Sequence, residues 1–200
     1  MTFTVNDACL AATLTAPKMS DEEFAEFCAQ YPDYFIEMTA AGKILIMPPN
    51  YSLTSRQNGE IYFQLETWNR QERPGIATKS SGQFSLPNGS RRSPDIAWVR
   101  RTRIDEMASR EREQFWHLAP DFVIELKPKT DRLPTLRRKM NEWIANGVQL
   151  GWLIDPDRKA VEVYRPDLKT EIHTDIDCIA ADGPVEGFVL DLTRLWNPLA

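Results

Sequence analysis

The sequence has few cysteines and histidines, and none of them forms a disulfide or metal-binding pattern. Cys9, Cys28 and Cys178 are the only three cysteines in 200 residues, and no two of them form a C-x-x-C pair. This odd, scattered set gives neither a disulfide framework nor a zinc knuckle, so we expect reduced thiols in the core. His117 and His173 show no H-E-x-x-H or H-x-H pattern, which argues against a histidine metal site.

Long apolar runs are also missing. The longest, near 122–126 and 148–154, are shorter than the ~20 residues that a membrane-spanning helix requires, and the N-terminus shows no basic stretch followed by an apolar one. We therefore expect a cytoplasmic protein without a membrane partner. The patterns G-x-x-x-x-G-K-[ST], G-x-G-x-x-G and G-x-S-x-G are absent, which removes motif support for nucleotide binding, dinucleotide binding and serine hydrolysis.

The composition, 42% hydrophobic and 26% charged, fits a single globular domain over 1–200 with its core in about 20–195. The net charge of −5 argues mildly against nucleic acid as a partner, but the charge is unevenly distributed. Residues 1–50 carry two basic and seven acidic side chains, whereas residues 91–139 carry thirteen basic and eight acidic ones. A polyanion would dock on the basic segment. A solvated surface of mixed charge is the simpler interpretation of that run alone.

Hydrophobic periodicity and turn signals predict an α/β protein. A capping box at Ser20 and Glu23 begins the first helix, and the segments on either side of Gly42 predict a hairpin. A strand, a helix and another strand then form a β-α-β unit, whose two strands we expect to be parallel with a right-handed crossover. The predicted helices cover about 20–30, 52–70 and 134–146, and the predicted strands cover 34–38, 43–47, 76–79, 82–86, 95–100, 121–127, 148–154 and 159–164.

Two short motifs suggest catalytic chemistry. Pro94-Asp95 precedes Glu125-Leu126-Lys127, and 30 residues separate the two acids. Side chains alternate along a strand, so Glu125 and Lys127 project to the same face of the sheet. A hard cation such as Mg²⁺ prefers oxygen ligands and is typically held by one or two carboxylates. We therefore predict a metal site made of Asp95, Glu125 and the backbone carbonyl of Leu126.

Lys127 would complete a site for in-line hydrolysis of a phosphodiester. Its ammonium group would orient an attacking water or stabilise the charge that develops on the phosphate. Each motif alone is common by chance, so their order, spacing and strand placement are what favour a functional site. The alternative is a surface ion pair between Glu125 and Lys127, which contributes little to stability.

An extended set of segments adds to the two motifs. These segments are EMTAAGKILIMPP at 37–49, PDIAWV at 94–99, PDFVIELK at 120–127, Lys139, and GVQLGWLIDP at 147–156. Together they resemble the Uma-two family within the PD-(D/E)XK nuclease superfamily. The resemblance implies a restriction-endonuclease-like α/β fold, in which helices flank a central mixed sheet that presents the catalytic acids at a strand edge. It also implies a prokaryotic origin and often a homodimer.

Two further residues are candidates for the site. Members of the family commonly carry Ser in place of Lys127, and a lysine on the following helix, here Lys139, is then the stand-in. Lys139 lies at the border of the apolar helix stripe, where it either reaches the site or covers apolar surface. Glu60 is a candidate for the acid that many superfamily members place on an early helix, with Gln57 and Gln64 beside it. An exposed helical glutamate is the alternative interpretation.

The sequence thus predicts a DNA endonuclease that uses Mg²⁺, with Mn²⁺ as a possible substitute. The first alternative is a non-catalytic nucleic-acid-binding or assembly module that keeps the nuclease fold, as the acidic net charge would allow. A hydrolase of another class that uses Asp95 and Glu125 as an acid/base pair is the second alternative, but it leaves Lys127 and the basic segment unexplained.

Overall fold

A computed structural model describes residues 12–15, 19–47, 50–72, 75–80 and 82–200. The helices in these ranges are α1 (Asp21–Gln30), α2 (Ser52–Glu72), α3 (Arg101–Asp105), α4 (Ser109–Arg112), α5 (Leu133–Ala145) and α6 (Thr193–Trp196). The strands are β1 (Ala12–Thr15), β2 (Phe35–Met38), β3 (Lys43–Met47), β4 (Gly75–Lys79), β5 (Phe84–Ser85), β6 (Arg91–Arg92), β7 (Ile96–Arg100), β8 (Phe122–Leu126), β9 (Leu150–Asp155), β10 (Ala160–Tyr164), β11 (Glu171–Thr174), β12 (Cys178–Ala180) and β13 (Val189–Asp191).

A six-stranded mixed sheet forms the centre of the molecule, in the order β11-β10-β9-β8-β7-β4. β8 and β9 are parallel, and the other neighbouring strands pair antiparallel. α5 connects β8 to β9 and buries Met140 and Trp143 against one face of the sheet. α2 buries Ile61 and Leu65 against the opposite face. The predicted α/β class, with a central mixed sheet flanked by helices, is therefore confirmed.

A second sheet contains the N-terminal hairpin, in the order β1-β3-β2-β6-β5. β2 and β3 pair antiparallel as predicted, and β2 also pairs with β6 through Met38 and Arg91. α1 begins at the predicted capping box and packs Phe24 and Phe27 on this sheet. Because the chain passes almost directly from β6 to β7, this sheet lies beside the start of the central strand β7.

Several predicted boundaries differ from the structure by one or two residues, and three of these differences lie near the sequence motifs. The predicted strand 82–86 shortens to Phe84–Ser85, Asp95 precedes β7 instead of opening it, and Lys127 follows β8 instead of ending it. Proline accounts for the last two differences, because it has no N–H to donate to a strand neighbour. Pro94 stands just before Asp95, and Pro128 stands just after Lys127.

The cysteines differ from the prediction of buried core thiols. Cys178 is exposed on β12, so the prediction is wrong there, and Cys28 is partly buried; both are free thiols. Cys9 lies outside the described residues, as does the Pro48-Pro49 pair of the family-like segment.

None of the helices in the described ranges is long and apolar enough to cross a membrane.

Two glycine substitutions test the packing of α2 and β4 on the central sheet. A Cβ at Gly75 would lie 2.1 Å from the indole ring of Trp98, whose Nε1 donates to Asn69 at 2.8 Å. We expect Gly75→Ala to lower the free energy of unfolding by about 1–3 kcal/mol because the fixed ring cannot yield. Gly59 faces open space in α2, so Gly59→Ala should raise the free energy of unfolding by about 0.5–1 kcal/mol. Denaturant unfolding measures both, and equal effects would contradict the packing.

Candidate active site

The two acids of the sequence motifs meet at one end of the central sheet. β7 and β8 are antiparallel, with Ile96 opposite Ile124, so the residue before β7 lies beside the end of β8. Asp95 Oδ2 accepts a hydrogen bond from the backbone N–H of Leu126 at 2.9 Å. The structure therefore brings Asp95 next to Glu125, as the motifs require. Burial raises the pKa of Asp95 despite the hydrogen bond from Leu126 and the charge of Lys139.

Asn58 is a neighbour of Asp95 that the sequence analysis missed. Its Nδ2 donates to Asp95 Oδ1 at 2.9 Å from the first turns of α2. If the Asn58 amide were turned around, its oxygen would face the carboxylate oxygen of Asp95, so this contact fixes the orientation of the amide. Asn58 Oδ1 is then buried and accepts no hydrogen bond from the described residues. An oxygen left without a donor beside a carboxylate is a polar atom available to a bound ligand.

Glu125 is buried on the face of the sheet that α5 covers. Its Oε1 accepts from Trp143 Nε1 at 2.9 Å and lies 2.8 Å from Lys139 Nζ, whereas Oε2 accepts no hydrogen bond from the described residues. Desolvation, opposed by Lys139 and assisted by the charges of Asp95 and Glu37, raises the pKa of Glu125 to about 7. One oxygen is thus held in place and the other is available.

Glu37 is a third acid at the site, and it belongs to the second sheet. It is 2% exposed, its Oε1 accepts from the backbone N–H of Ser93 at 3.0 Å, and its Oε2 accepts from Arg92 at 2.8 Å. Burial alone would raise the pKa of Glu37, but the charges of Lys139 and Arg92 and the hydrogen bonds from Lys139 and Ser93 lower it below the usual value. Glu37 is therefore ionised where it contacts the site.

Lys139 lies between these acids. Its Nζ is 2.8 Å from Glu37 Oε1 and 2.8 Å from Glu125 Oε1, and it donates to the carbonyl of Ser93 at 3.1 Å. Burial lowers the pKa of Lys139, but the adjacent charges of Glu125 and Glu37 outweigh that effect and raise the pKa above its usual value. The side chain is therefore a fixed ammonium group, and it reaches the site instead of covering apolar surface.

The ammonium group of Lys127 lies beside an acid of the neighbouring strand β9. Its Nζ lies 3.9 Å from Asp155 Oδ1 at the end of β9 and 3.5 Å from the carbonyl of Pro128. Asp155 is buried, and neither carboxylate oxygen accepts a hydrogen bond from the described residues. Among the described residues, Lys127 thus has Asp155, and not Glu125, as its acidic neighbour.

Glu60 also lies away from the other acids. Its carboxylate accepts from Gln64 at 3.0 Å and approaches Arg194 at 3.9 Å. Gln64 exchanges hydrogen bonds with the backbone of Asp191, and Gln57 donates to the carbonyl of Leu195. These polar residues of α2 bind the C-terminal elements, and Asn58 is the residue of this helix that contacts Asp95.

The arrangement fits a small hard cation with few protein ligands. Within the described residues, no group of three or more His, Cys, Asp or Glu side chains could hold a metal ion by itself. Mg²⁺ needs no such group, because it keeps several waters and is commonly held by one or two carboxylates. Asp95, Oε2 of Glu125 and the buried oxygen of Asn58 offer only oxygen donors at one end of the sheet, which suits this ion.

Known proteins place the chain in a family. Residues 21–193 match the model of the Uma2 (Uma-two) family, described as "Putative restriction endonuclease". The crystal structure of a "putative nuclease belonging to DUF820" from Anabaena variabilis ATCC 29413 is similar in fold, with a TM-score of 0.73 and 22% identity over 91% of this chain and 99% of that chain. No curated protein is similar enough to count as a match. The family model spans most of the sequence, and the chain therefore belongs to the Uma2 family.

Proposed function

We propose that this protein is a metal-dependent endonuclease that hydrolyses phosphodiester bonds in DNA. The observation that carries the proposal is the convergence of Asp95, Glu125 and the ammonium group of Lys139 at one end of the central sheet. Metal-dependent hydrolysis of a phosphodiester can use this combination, in which carboxylates bind the cation and a positive charge lies near the phosphate under attack. The description of the matching family supports the same class of reaction.

Asp95, Glu125 and the backbone carbonyl of Leu126 would hold Mg²⁺, with Mn²⁺ as a substitute. When bound, the ion supplies Lewis-acid polarisation of the phosphate. The chain's own residues set the geometry. Asn58 and the N–H of Leu126 orient Asp95, and Trp143 holds one oxygen of Glu125 so that the other is available.

Lys139 is the working lysine in this proposal. It contacts Glu125 directly, whereas Lys127 is drawn towards Asp155. Because two carboxylates and the carbonyl of Ser93 already accept its three N–H groups, Lys139 acts through its positive charge, which stabilises negative charge on the phosphate, and not as a general base. Glu37 is a positioning residue that holds the ammonium group together with Glu125.

Nicking of supercoiled plasmid in Mg²⁺ or Mn²⁺ tests these assignments. We expect Asp95→Asn and Glu125→Gln to abolish nicking because the cation loses its charged ligands. Lys139→Met should slow nicking by about 10²–10³-fold, as for the loss of one group that stabilises the charge of the transition state. Lys127→Met is the matched control and should keep most of the activity. A large loss in Lys127→Met with normal activity in Lys139→Met would reverse the assignment, and a wild-type protein without nicking would contradict the proposal.

Calorimetric titration with Mn²⁺ separates the enzyme from the main alternative, a non-catalytic DNA-binding module. One observation favours that alternative: Lys139 already balances the charge of Glu125 without a metal ion. We expect one Mn²⁺ site that Asp95→Asn removes, because one of its two carboxylates is lost. Asp155→Asn, a buried acid at the neighbouring strand end, should leave binding unchanged. A module without a metal site would show no heat of binding in any variant, together with DNA affinity that falls with salt.

The positioning role of Glu37 predicts a specific kinetic change. Glu37→Gln removes one of the two charges that hold Lys139, so we expect kcat to fall by about tenfold or more while KM for DNA stays the same, as for an interaction made in the transition state. Glu37→Asp should restore part of the loss. Glu142 pairs with Arg92 but makes no ion pair with Lys139 among the described residues, so Glu142→Gln is the control. An equal fall of kcat in both Gln variants would indicate that Glu37 acts only through Arg92.

A further inference from the structure

The structure divides the basic segment of the sequence between two ends of the central sheet. β7 runs away from Asp95, so Arg100, Arg101 and Arg103 lie at the end remote from the candidate site. The strand has five residues, which separates the two ends by about 17 Å. Arg103 there pairs with Asp121 and the carbonyl of Ala119. Lys127, Lys129 and Arg132 lie at the site end, because they follow the end of β8 and precede α5.

Two loops meet at that site end. Residues 127–132 join β8 to α5, and residues 156–159 join β9 to β10. Since β8 and β9 are parallel, both loops lie at the same sheet edge as Glu125, and the pair Lys129–Asp157 connects them at 3.7 Å. The first loop carries three basic residues and one acidic residue, and the second carries two and one.

The basic side chains of these loops are largely available. We call Lys129, Arg132, Arg158 and Lys159 the site-end basic surface; all four are exposed. Within the described part of the chain, Arg132, Arg158 and Lys159 form no ion pair. None of these three charges is held in a close ion pair, although the charge of Arg158 acts on Glu162 of β10.

The direction of α5 adds to this positive field. The helix begins at Leu133, beside the site-end basic surface, with no acidic residue in its first turn and no side-chain cap from Arg132. The start of a helix carries a partial positive charge from its unpaired N–H groups. Side chains and helix thus favour an anion at the same place, next to the carboxylates that would hold the cation.

We propose that the site-end basic surface binds the phosphate backbone of duplex DNA and directs a phosphodiester towards Asp95 and Glu125. The inference rests on the proposed nuclease function and adds where the substrate lies. Contacts to phosphate set affinity and position but carry no base preference. The acidic net charge of the chain is compatible with this partner, because binding depends on the local field at these two loops.

Binding of a fluorescein-labelled DNA duplex, followed by anisotropy in the Asp95→Asn background, tests the surface without cleavage. The pairs Lys129→Glu with Arg132→Glu and Arg158→Glu with Lys159→Glu each reverse two charges at the site end. Each pair should weaken binding by about tenfold or more and reduce the salt slope by about two, because two phosphate contacts are lost. Arg100→Glu with Arg101→Glu reverses the same charge at the remote end and should leave affinity and slope nearly unchanged.

The outcomes separate this inference from the proposed function. If the remote-end pair weakens binding as much as the site-end pairs, or if the site-end pairs bind like the parent protein, the docking surface is wrong. Plasmid nicking by the otherwise wild-type protein would still support the nuclease in that case. Site-end variants that lose affinity while the wild-type protein binds Mn²⁺ but never nicks DNA would support the docking surface and contradict the enzyme.

Discussion

The arrangement of the molecule around its candidate site depends on one buried ammonium group. Lys139 of α5 contacts Glu37 and Glu125, each at 2.8 Å. The two carboxylates belong to different sheets and are almost fully buried. Like charges in such a place cannot both ionise unless a positive charge lies between them. The ammonium group therefore holds the hairpin sheet against the central sheet where the chain passes from β6 to β7, and Asp95 lies in that passage.

Arg92 joins Lys139, Glu37 and Glu125 in one cluster of charged side chains and restricts how the elements that carry them can pack. It contacts Glu37 of β2 and Glu142 of α5, so two cations and three carboxylates of four elements share their hydrogen bonds. Such a cluster adds little net stability, because the desolvation of each charge offsets most of the attraction. The cluster does disfavour other packing arrangements of β2 and α5, since a shift of either element would leave a buried charge without a partner. A site whose acids must keep fixed positions benefits from this constraint more than from added stability.

Much of the fold, and the two acids of the candidate site, could be predicted because they belong to patterns of neighbouring residues in the sequence. The β-α-β unit, the hairpin and the long α2 each leave a periodic signal, and the Asp95 and Glu125 motifs flank a strand pair. Asn58 also carried a signal, since it lies three residues before Ile61 and seven before Leu65 on the buried stripe of α2. A polar residue at that spacing indicates an internal partner.

Glu37 could not be predicted in the same way. It stands alone in a short apolar strand, and its partners Ser93, Arg92 and Lys139 lie more than fifty residues away in the sequence. Only the pairing of β2 with β6 brings it to the site. Strand alternation gives the face to which a side chain points, but the neighbours on that face are set by which strands pair.

Lys127 and Lys139 also show that the face to which a side chain points does not determine its neighbours. Glu125 and Lys127 are two residues apart, so their backbone positions are about 6.6 Å apart along the strand direction, whereas neighbouring strands lie only about 4.8 Å apart. The residue across from Lys127 on the parallel strand β9 is the acidic Asp155, which is why the ammonium group turns sideways. α5 meanwhile crosses the same face, and Lys139 and Trp143, four residues apart on one side of the helix, both contact Glu125. A lysine on the crossover helix thus reaches the strand glutamate more directly than a lysine just after the strand.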